Sequence, residues 1–448
     1  MRKLAAALAV LAVALGLGAA RAQADDVTFG VNDNAGLYGI GGSTFWSALT
    51  GANLQVNTII LRWNEQTADG FDGADGSFLP QAVQAAAAAG VQLEFAVSPR
   101  HSAELSDPSG PRRFAAWLTT LAQTYPQVTT YVVMNECNQQ LFANPQYRGG
   151  KNVSAAECGS FLAAGYDALK AVNPRIFVWG LGLSPRGNLP DGGRNRASTD
   201  PIDWLAYLGD WYRSSGRTAP LMDGLDLHPY PIPQSLPFAS GYADPHSYSV
   251  ANLSRAYQAF YDAFKGTAQP TVGPGRLPVQ LNEVGIQTAA NGHAGYTGRE
   301  NTANATGGTI PPYDGEAYQA QWYRSLVDAA ECDADITNVN IFKLVDESAL
   351  EGWQSGLYYA DWTAKASAAA VRDEIAEDAG SCPTGAATTW TPGSTPQFGP
   401  ARAKGKGKPA RTHIATRRPV LHKTRTSRAK PTKTSHASHS SGRGKKHP

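Results

Sequence analysis

The stretch Thr130-Tyr-Val-Val-Met-Asn-Glu136 carries four β-prone or apolar residues directly into an amide and a carboxylate. A short apolar run of this kind predicts a buried parallel strand whose last two residues lie at its carboxyl end. A second stretch, Leu277-Pro-Val-Gln-Leu-Asn-Glu283, repeats the pattern. Two strand-terminal glutamates far apart in sequence predict paired carboxylates around one reacting bond, as in glycoside hydrolysis.

The first 24 residues have the composition of a secretory signal peptide. A basic start is followed by an apolar run from Leu4 to Ala20 and by Ala22-Gln-Ala24. A transmembrane anchor is the alternative, but the apolar run is short and a small-residue cleavage site follows it directly. Residues 1–24 therefore predict export, and no later stretch predicts a transmembrane segment.

The other end of the chain is strongly basic. Residues 401–448 contain 15 Lys and Arg, five His and no Asp or Glu. A segment with so few hydrophobic residues cannot bury enough surface to offset its ordering entropy. We therefore predict a disordered linker and Lys/Arg-rich tail over residues 383–448.

The tail changes the meaning of the net charge, which is +2 for the whole chain. Without the 15 basic residues of the tail and the three of the signal peptide, 21 Lys and Arg face 37 Asp and Glu, which leaves about −16. The tail either solvates the protein or adheres to an anionic cell-wall or surface polymer. It contains no aromatic residue for stacking on bases, so no nucleic-acid partner is expected.

Strand-like and helix-like segments alternate eight times between the two ends. This alternation predicts a parallel sheet closed into a (β/α)₈ TIM barrel over residues 25–382. An open doubly wound sheet is the alternative, but no Gly-rich phosphate loop follows the first strand. The predicted strands are 27–31, 58–63, 91–97, 130–136, 176–180, 224–228, 277–283 and 338–344.

Loop lengths favour the barrel independently. Connections from helix to strand are short, whereas those from strand to helix are long and polar. In a barrel all the long loops lie on the face where strands end, which is also the face of Glu136 and Glu283. The long loops are 137–153, 184–201, 231–249 and 284–314.

Four cysteines, an even number in an exported protein, predict disulfides. Neighbourhood in sequence favours Cys137 with Cys158 and Cys332 with Cys382, although sequence alone leaves the pairing open. No Cys-x-x-Cys pair or nucleotide motif is present. We therefore predict no metal and no cofactor.

With these residues in place, the chain resembles the clan A retaining glycoside hydrolases, the (β/α)₈-barrel β-glycosidases that include cellulase-like and β-xylosidase-like enzymes. The resemblance spans about residues 27–382. It implies that Glu136 is the general acid/base and Glu283 the nucleophile. It also implies that Asn135 binds the sugar 2-hydroxyl.

The same resemblance implies a carbohydrate-binding role for four more residues. Arg62 matches the strand-two arginine near the nucleophile, and His228 and Tyr230 match the His and Tyr of strand six. Trp353 is a candidate sugar platform. The chain departs from the family at the end of strand eight, where members usually carry a tryptophan and this sequence reads Ile-Phe-Lys343.

Each of these residues also has a plainer interpretation. Glu136 and Glu283 can pair with cations at the rim, and Arg62 can pair with an inward acid. His228 can be a satisfied core histidine, and Trp353 a packing residue. A third Asn-Glu pair, at Glu65, is interpreted as a loop pair without a catalytic role.

The function expected from these observations is a secreted retaining glycoside hydrolase that cleaves β-glycosidic bonds, and adhesion by the tail would associate it with the cell wall. The alternative is a non-catalytic polysaccharide-binding barrel held at the wall by its tail. A barrel enzyme of another hydrolytic chemistry is a third interpretation.

Overall fold

A computed structural model describes residues 27–187, 198–273, 277–299, 315–378 and 380–394. The predicted signal peptide and the basic tail beyond residue 394 lie outside the described residues. Within the described ranges, every helix is too short or too polar to cross a bilayer.

Eight barrel strands and eight α-helices alternate along the described chain, and each barrel strand precedes its helix. The strands are β1 Thr28–Asn32, β2 Val56–Trp63, β3 Gln92–Pro99, β4 Thr130–Val133, β5 Phe177–Leu183, β6 Gly224–Leu227, β7 Val279–Val284 and β8 Ile336–Ile341. The helices are α1 Ser43–Gly51, α2 Asp75–Ala89, α3 Gly110–Thr124, α4 Ser154–Val172, α5 Pro201–Ser214, α6 Ser254–Phe264, α7 Gly315–Glu331 and α8 Ala366–Asp378.

The strands close into a barrel in sequential order. Each strand pairs in parallel with its neighbours in sequence, and β1 pairs with β8 through the register Thr28↔Asn338 to Val31↔Ile341. The predicted TIM barrel is therefore confirmed, and the open-sheet alternative is wrong. Because all eight strands run the same way, their carboxyl ends form one face, which carries Glu136 and Glu283.

The predicted boundaries of the elements agree with the structure to within a few residues. A separate 3₁₀ turn, Val250–Asn252, precedes α6. The side chains of Ser249 and Asn252 cap this turn reciprocally. This cap fixes the start of the turn that precedes α6.

The layer between strands and helices is hydrophobic, whereas the barrel interior is polar. Thr58 of β2 donates to Glu94 of β3 at 2.8 Å and to Asn282 of β7 at 3.0 Å. Gln280 of β7 donates to the same Glu94 oxygen at 2.7 Å, and Asn340 of β8 donates to Thr58 at 2.9 Å. Except for the bond from Thr58 to Glu94, these bonds join strands that are not neighbours, so they cross the barrel and fix its strands to one another.

Both favoured cysteine pairs form disulfides, Cys137–Cys158 and Cys332–Cys382. The first joins the residue directly after Glu136 to α4. The second joins the end of α7 to the segment after α8. The first disulfide therefore braces the loop that carries Glu136.

The folded chain continues beyond Cys382, the predicted end of the barrel domain. Trp390 is buried and packs edge-on against Tyr257, and its amide donates to Asp335 at 2.8 Å. The amide of Thr388 donates to the carbonyl of Cys332 at 2.9 Å. One buried tryptophan therefore anchors residues within 383–394, the start of the segment that was predicted as a linker from its composition.

Glu94 makes the polar interior sensitive to pH. Burial raises its pKa to about 8, although bonds from Gln280 and Thr58 oppose the shift. The unfolded chain loses this proton near the ordinary value of about 4.5, so between these values the unfolded state binds fewer protons than the folded state. Stability must therefore fall as pH rises through this window.

We expect Glu94→Gln to remove this slope, because a neutral amide still accepts the bonds from Thr58 and Gln280. The free energy of unfolding of the variant should exceed that of the wild type by an amount that grows from pH 5 to pH 8, on the order of a few kcal/mol. Urea unfolding across this range is the measurement. Exposed Glu351→Gln is the control, and equal slopes for Glu94→Gln and wild type would contradict the assignment.

Candidate active site

The end of β4 turns Glu136 toward the barrel mouth through an unusual backbone. Met134 and Glu136 have φ of 75° and 40°, a region that L-residues other than Asn and Asp rarely adopt. The amide of Met134 donates to Val97 at 2.9 Å, and that of Glu136 donates to Gly182 at 2.8 Å. Hydrogen bonds to the two neighbouring strands therefore hold a conformation that the free chain would avoid.

A one-residue irregularity in β7 turns Glu283 inward. Leu281 pairs with Val339 and Val284 with Ile341, so β7 has one more residue than β8 over this interval. The amide of Asn282 donates to Asp226 at 3.1 Å. A bulge re-aims side chains locally, and here it coincides with the Asn-Glu pair, so both side chains reach the interior.

The two glutamates meet around His228. Its Nδ1 lies 3.2 Å from Oε1 of Glu136 and 3.7 Å from Oε2 of Glu283. One ring nitrogen of His228 and one carboxylate oxygen of each glutamate all lie within 4.8 Å of one another. The side chains of Glu136 and Glu283 remain 16% and 12% exposed. Both carboxylates therefore face one site that is open to solvent.

His228 is fully buried, and a third carboxylate lies behind it. Its Nε2 is 3.5 Å from Oδ2 of Asp226, which is long for a hydrogen bond but close for two opposite charges. Burial alone would lower the pKa of His228, but Glu283, Asp226 and Glu136 together raise it well above the ordinary value. Because both ring nitrogens face carboxylates, the imidazolium with two N–H donors is the form that fits.

The pKa of Glu283 is raised above its ordinary value, with burial as the largest cause. Burial raises its pKa and so does Glu136, whereas the positive charges of His228 and Lys343 lower it. The Tyr230 hydroxyl donates to Oε2 of Glu283 at 3.2 Å. Burial and Glu283 raise the pKa of Tyr230 well above its ordinary value, so this hydroxyl keeps the proton that it donates.

Arg62 contributes charge near the site. Burial lowers its pKa, while the charge of Glu283 raises it, and the guanidinium carbon lies 5.4 Å from the centroid of the Phe142 ring. An arginine stays protonated even when its pKa is lowered in a protein. The structure thus places the Arg62 charge where it acts on Glu283.

An aromatic wall borders the site on the β8 side. Trp353 packs against Tyr230 with ring centroids 5.0 Å apart and meets Phe342 edge-on at 5.3 Å. Two hydrogen bonds hold Trp353 in this position. The amide of Glu347 donates to the Trp353 carbonyl at 3.0 Å, and the Trp353 amide donates to the Glu347 carboxylate at 3.0 Å. Trp353 is partly exposed, so one part of its ring packs and another faces solvent.

Of the residues singled out from sequence, the structure brings together Glu136, Glu283, His228, Tyr230 and Trp353 by direct contacts. Asn135 is partly exposed and directly precedes Glu136. Arg62 acts on the same site through its charge.

Sequence reasoning missed three residues that shape the site, namely Asp226, Gly182 and Lys343. Gly182 has φ of 49°, and a β-carbon there would lie 3.0 Å from Nε2 of His228. Lys343 is buried, with its ammonium 4.2 Å from the centroid of the Phe342 ring. The Asp-x-His spacing was a usable signal for Asp226, because residues two apart on a strand face the same side.

With this geometry established, comparisons with known proteins show what the fold resembles. No protein-family model matches the sequence, and no curated protein sequence matches it. Solved structures do match at low identity. A GH5_18 protein from Streptomyces cattleya, solved in complex with Manb1-4GlcNAc, aligns with a TM-score of 0.51 at 16% identity over 78% of this chain and 80% of that one.

Two further structures give the same picture. A GH5_18 protein from Bifidobacterium longum subsp. infantis has a TM-score of 0.52 at 12% identity, covering 81% of each chain. The exo-beta-1,4-mannosidase Op5Man5 from Opitutaceae bacterium strain TAV5 has a TM-score of 0.50 at 15% identity over 79% of this chain. This chain spans 59% of that mannosidase. At these identities the comparisons establish a shared barrel fold.

The Asp226 carboxylate is the group that we expect to hold His228 in its charged form. Asp226→Asn keeps the size and can still accept from the amide of Asn282, but it removes one negative charge. The pKa of His228 should therefore fall, as followed by NMR titration of its ring nitrogens.

The control is Asp203→Asn, which removes a carboxylate lying 2.9 Å from Nδ1 of His246 and should leave His228 unchanged. An unaltered pKa of His228 in Asp226→Asn would show that Glu136 and Glu283 alone set its charge.

Proposed function

We propose that this protein is a secreted retaining glycoside hydrolase that cleaves β-glycosidic bonds with Glu136 and Glu283. The observation that carries the proposal is the approach of the two carboxylates at the carboxyl face of a (β/α)₈ barrel. One oxygen of Glu136 lies within 4.8 Å of one oxygen of Glu283. Retaining glycosidases hold their carboxyl groups about 5–5.5 Å apart, whereas inverting ones leave roughly 6.5–9.5 Å for a water. The short approach supports retention.

The surroundings of the two glutamates support different roles. Glu283 accepts a hydrogen bond from Tyr230 and lies near the positive charges of His228 and Lys343. These groups oppose the effect of burial and favour the ionised form, which a nucleophile that attacks the anomeric carbon requires. The side chain of Glu136 is partly exposed at the end of β4, so a departing sugar and an incoming water can both reach it, as a general acid/base requires.

The reaction then has two steps. Glu283 forms a bond to the anomeric carbon while Glu136 gives its proton to the departing glycosidic oxygen. Glu136 next removes a proton from a water molecule, which attacks the same carbon and releases Glu283. Two displacements at one carbon leave the sugar with its original configuration.

The remaining residues have positioning and binding roles in this proposal. The Asn135 amide binds the sugar 2-hydroxyl, Trp353 offers an aromatic face to the sugar, and Arg62 stabilises charge near Glu283. His228 donates to Glu136 and lies against Glu283, so that it fixes the positions of both carboxylates. The β-mannosidase among the structural neighbours makes β-mannosides a first substrate class to test.

Glu283→Ala should abolish hydrolysis of aryl β-glycosides, β-mannosides included, while sugar binding largely persists. Azide added to Glu283→Ala should give a glycosyl azide of inverted configuration, because the small anion fills the space of the lost carboxylate. Glu136→Ala should lose about 10²–10⁴-fold on substrates with poor leaving groups and much less on activated ones, since only the former need the proton.

Glu65→Gln, in the third Asn-Glu pair, is the matched control and should keep the wild-type rate. Full activity in Glu283→Ala would overturn the nucleophile assignment. A wild type that binds glycan but hydrolyses nothing in a broad panel would instead support the polysaccharide-binding alternative.

The basic tail is proposed to hold the enzyme on an anionic cell-wall polymer. Deleting residues 401–448 should leave activity on soluble substrates unchanged and weaken binding to insoluble anionic wall material. Binding by the full chain should already decrease with added salt, because exposed charges are screened. Cosedimentation at increasing NaCl measures both effects, and equal binding by the truncated chain would rule out adhesion through the tail.

A further inference from the structure

A second group of carboxylates lies far from Glu136 and Glu283, where α7 packs against α8. Asp328 is on α7, and Glu374 and Asp378 are four residues apart on α8, so they share one helix face. One carboxylate oxygen from each of the three lies within 4.8 Å of the others. We refer to Asp328, Glu374 and Asp378 as the α7–α8 carboxylate cluster.

Two oxygens of this cluster are buried without a donor. Asp378 is 7% exposed, and its Oδ2 has no hydrogen-bond partner among the described residues. Oδ1 of Asp328 is likewise buried and unpartnered there. An unpaired buried carboxylate is costly, so folding must supply a proton or a cation at this place.

The protein's own charges compensate the cluster weakly. Arg324 lies 3.5 Å from Glu374, but its side chain is 54% exposed and its charge is screened by solvent. Asp378 is also the last residue of α8, where the helix dipole is negative and an acidic side chain is unfavourable. A positive ion would offset both effects.

We propose that the α7–α8 carboxylate cluster binds a hard divalent cation, with calcium as the best fit. Its donors are all carboxylate oxygens, which suit Ca²⁺, Mg²⁺ or Mn²⁺ and not softer metals. Calcium accepts six to eight oxygens in flexible geometry, so three carboxylates and water molecules suffice. The ion would join α7 to α8 next to the Cys332–Cys382 disulfide and stabilise the last unit of the barrel.

The alternative is a shared proton. Burial and a hydrogen bond to Asp328 raise the pKa of Glu374 to about 7, so a proton held between these two carboxyl groups would also relieve the cluster. At the site around Glu136, His228 and Glu283, a ring nitrogen and two carboxylate oxygens also lie within 4.8 Å of one another. There the buried His228 supplies a positive charge, whereas the α7–α8 carboxylate cluster faces only the exposed guanidinium of Arg324.

The test uses the full chain after treatment with a chelator. Addition of CaCl₂ at pH 7, against NaCl of equal ionic strength, should raise Tm by roughly 5 °C at calcium concentrations a hundredfold above Kd. Titration calorimetry should show one high-affinity site. Asp378→Asn and Glu374→Gln should each lose the calcium-dependent shift while they keep the wild-type far-UV circular dichroism.

Two controls separate this site from its surroundings. Asp373→Asn, which alters an α8 residue paired with Arg372, should keep the full shift. Glu283→Ala should also keep it, which excludes the active-site carboxylates and makes the result independent of whether the protein hydrolyses sugars. A wild-type Tm that does not change with calcium but falls as pH rises through 7 would overturn the proposal and assign a shared proton to the cluster.

Discussion

The contact on which the site depends is the buried imidazolium of His228 among three carboxylates. Asp226 lies behind the ring, and Glu136 and Glu283 lie in front of it. Three negative charges in so small a volume, one of them fully buried, would repel one another strongly if the ring were neutral. The charged histidine makes it possible for strands β4, β6 and β7 to end at one point.

The precision of this arrangement comes from irregular backbone at the strand ends. Positive φ at Met134 and Glu136 and the extra residue in β7 each depart from regular strand geometry. A closed barrel tolerates such departures because hydrogen bonds to both neighbouring strands and across the polar interior fix the rest of each strand. The strain is therefore local, and it lies at the side chains that carry the proposed chemistry.

The sequence predicted well those features that depend on local pattern. Apolar runs and helix punctuation located the strands, and strand ends located Glu136 and Glu283, because the residues on both sides of the boundary differ in polarity. It could not reveal the polar interior around Glu94, because hydrogen bonds across a barrel join strands far apart in the chain. Trp390 was missed for a related reason: one buried ring anchors a segment whose composition resembles a linker.

The two carboxylate groups of this fold show how the same electrostatic problem has different solutions. At the barrel mouth, His228 and Lys343 compensate the acids internally, so the positive charge that the proposed chemistry needs is part of the chain. Between α7 and α8, Asp328 and Asp378 have no comparable internal partner among the described residues. Local sequence motifs did not predict this cluster, because the two residues lie on different helices. Compensation from solution suits a site that stabilises the fold, since its occupancy can vary with the surroundings. Internal compensation suits a catalytic site, where a mobile ion would compete with the substrate for the same oxygens.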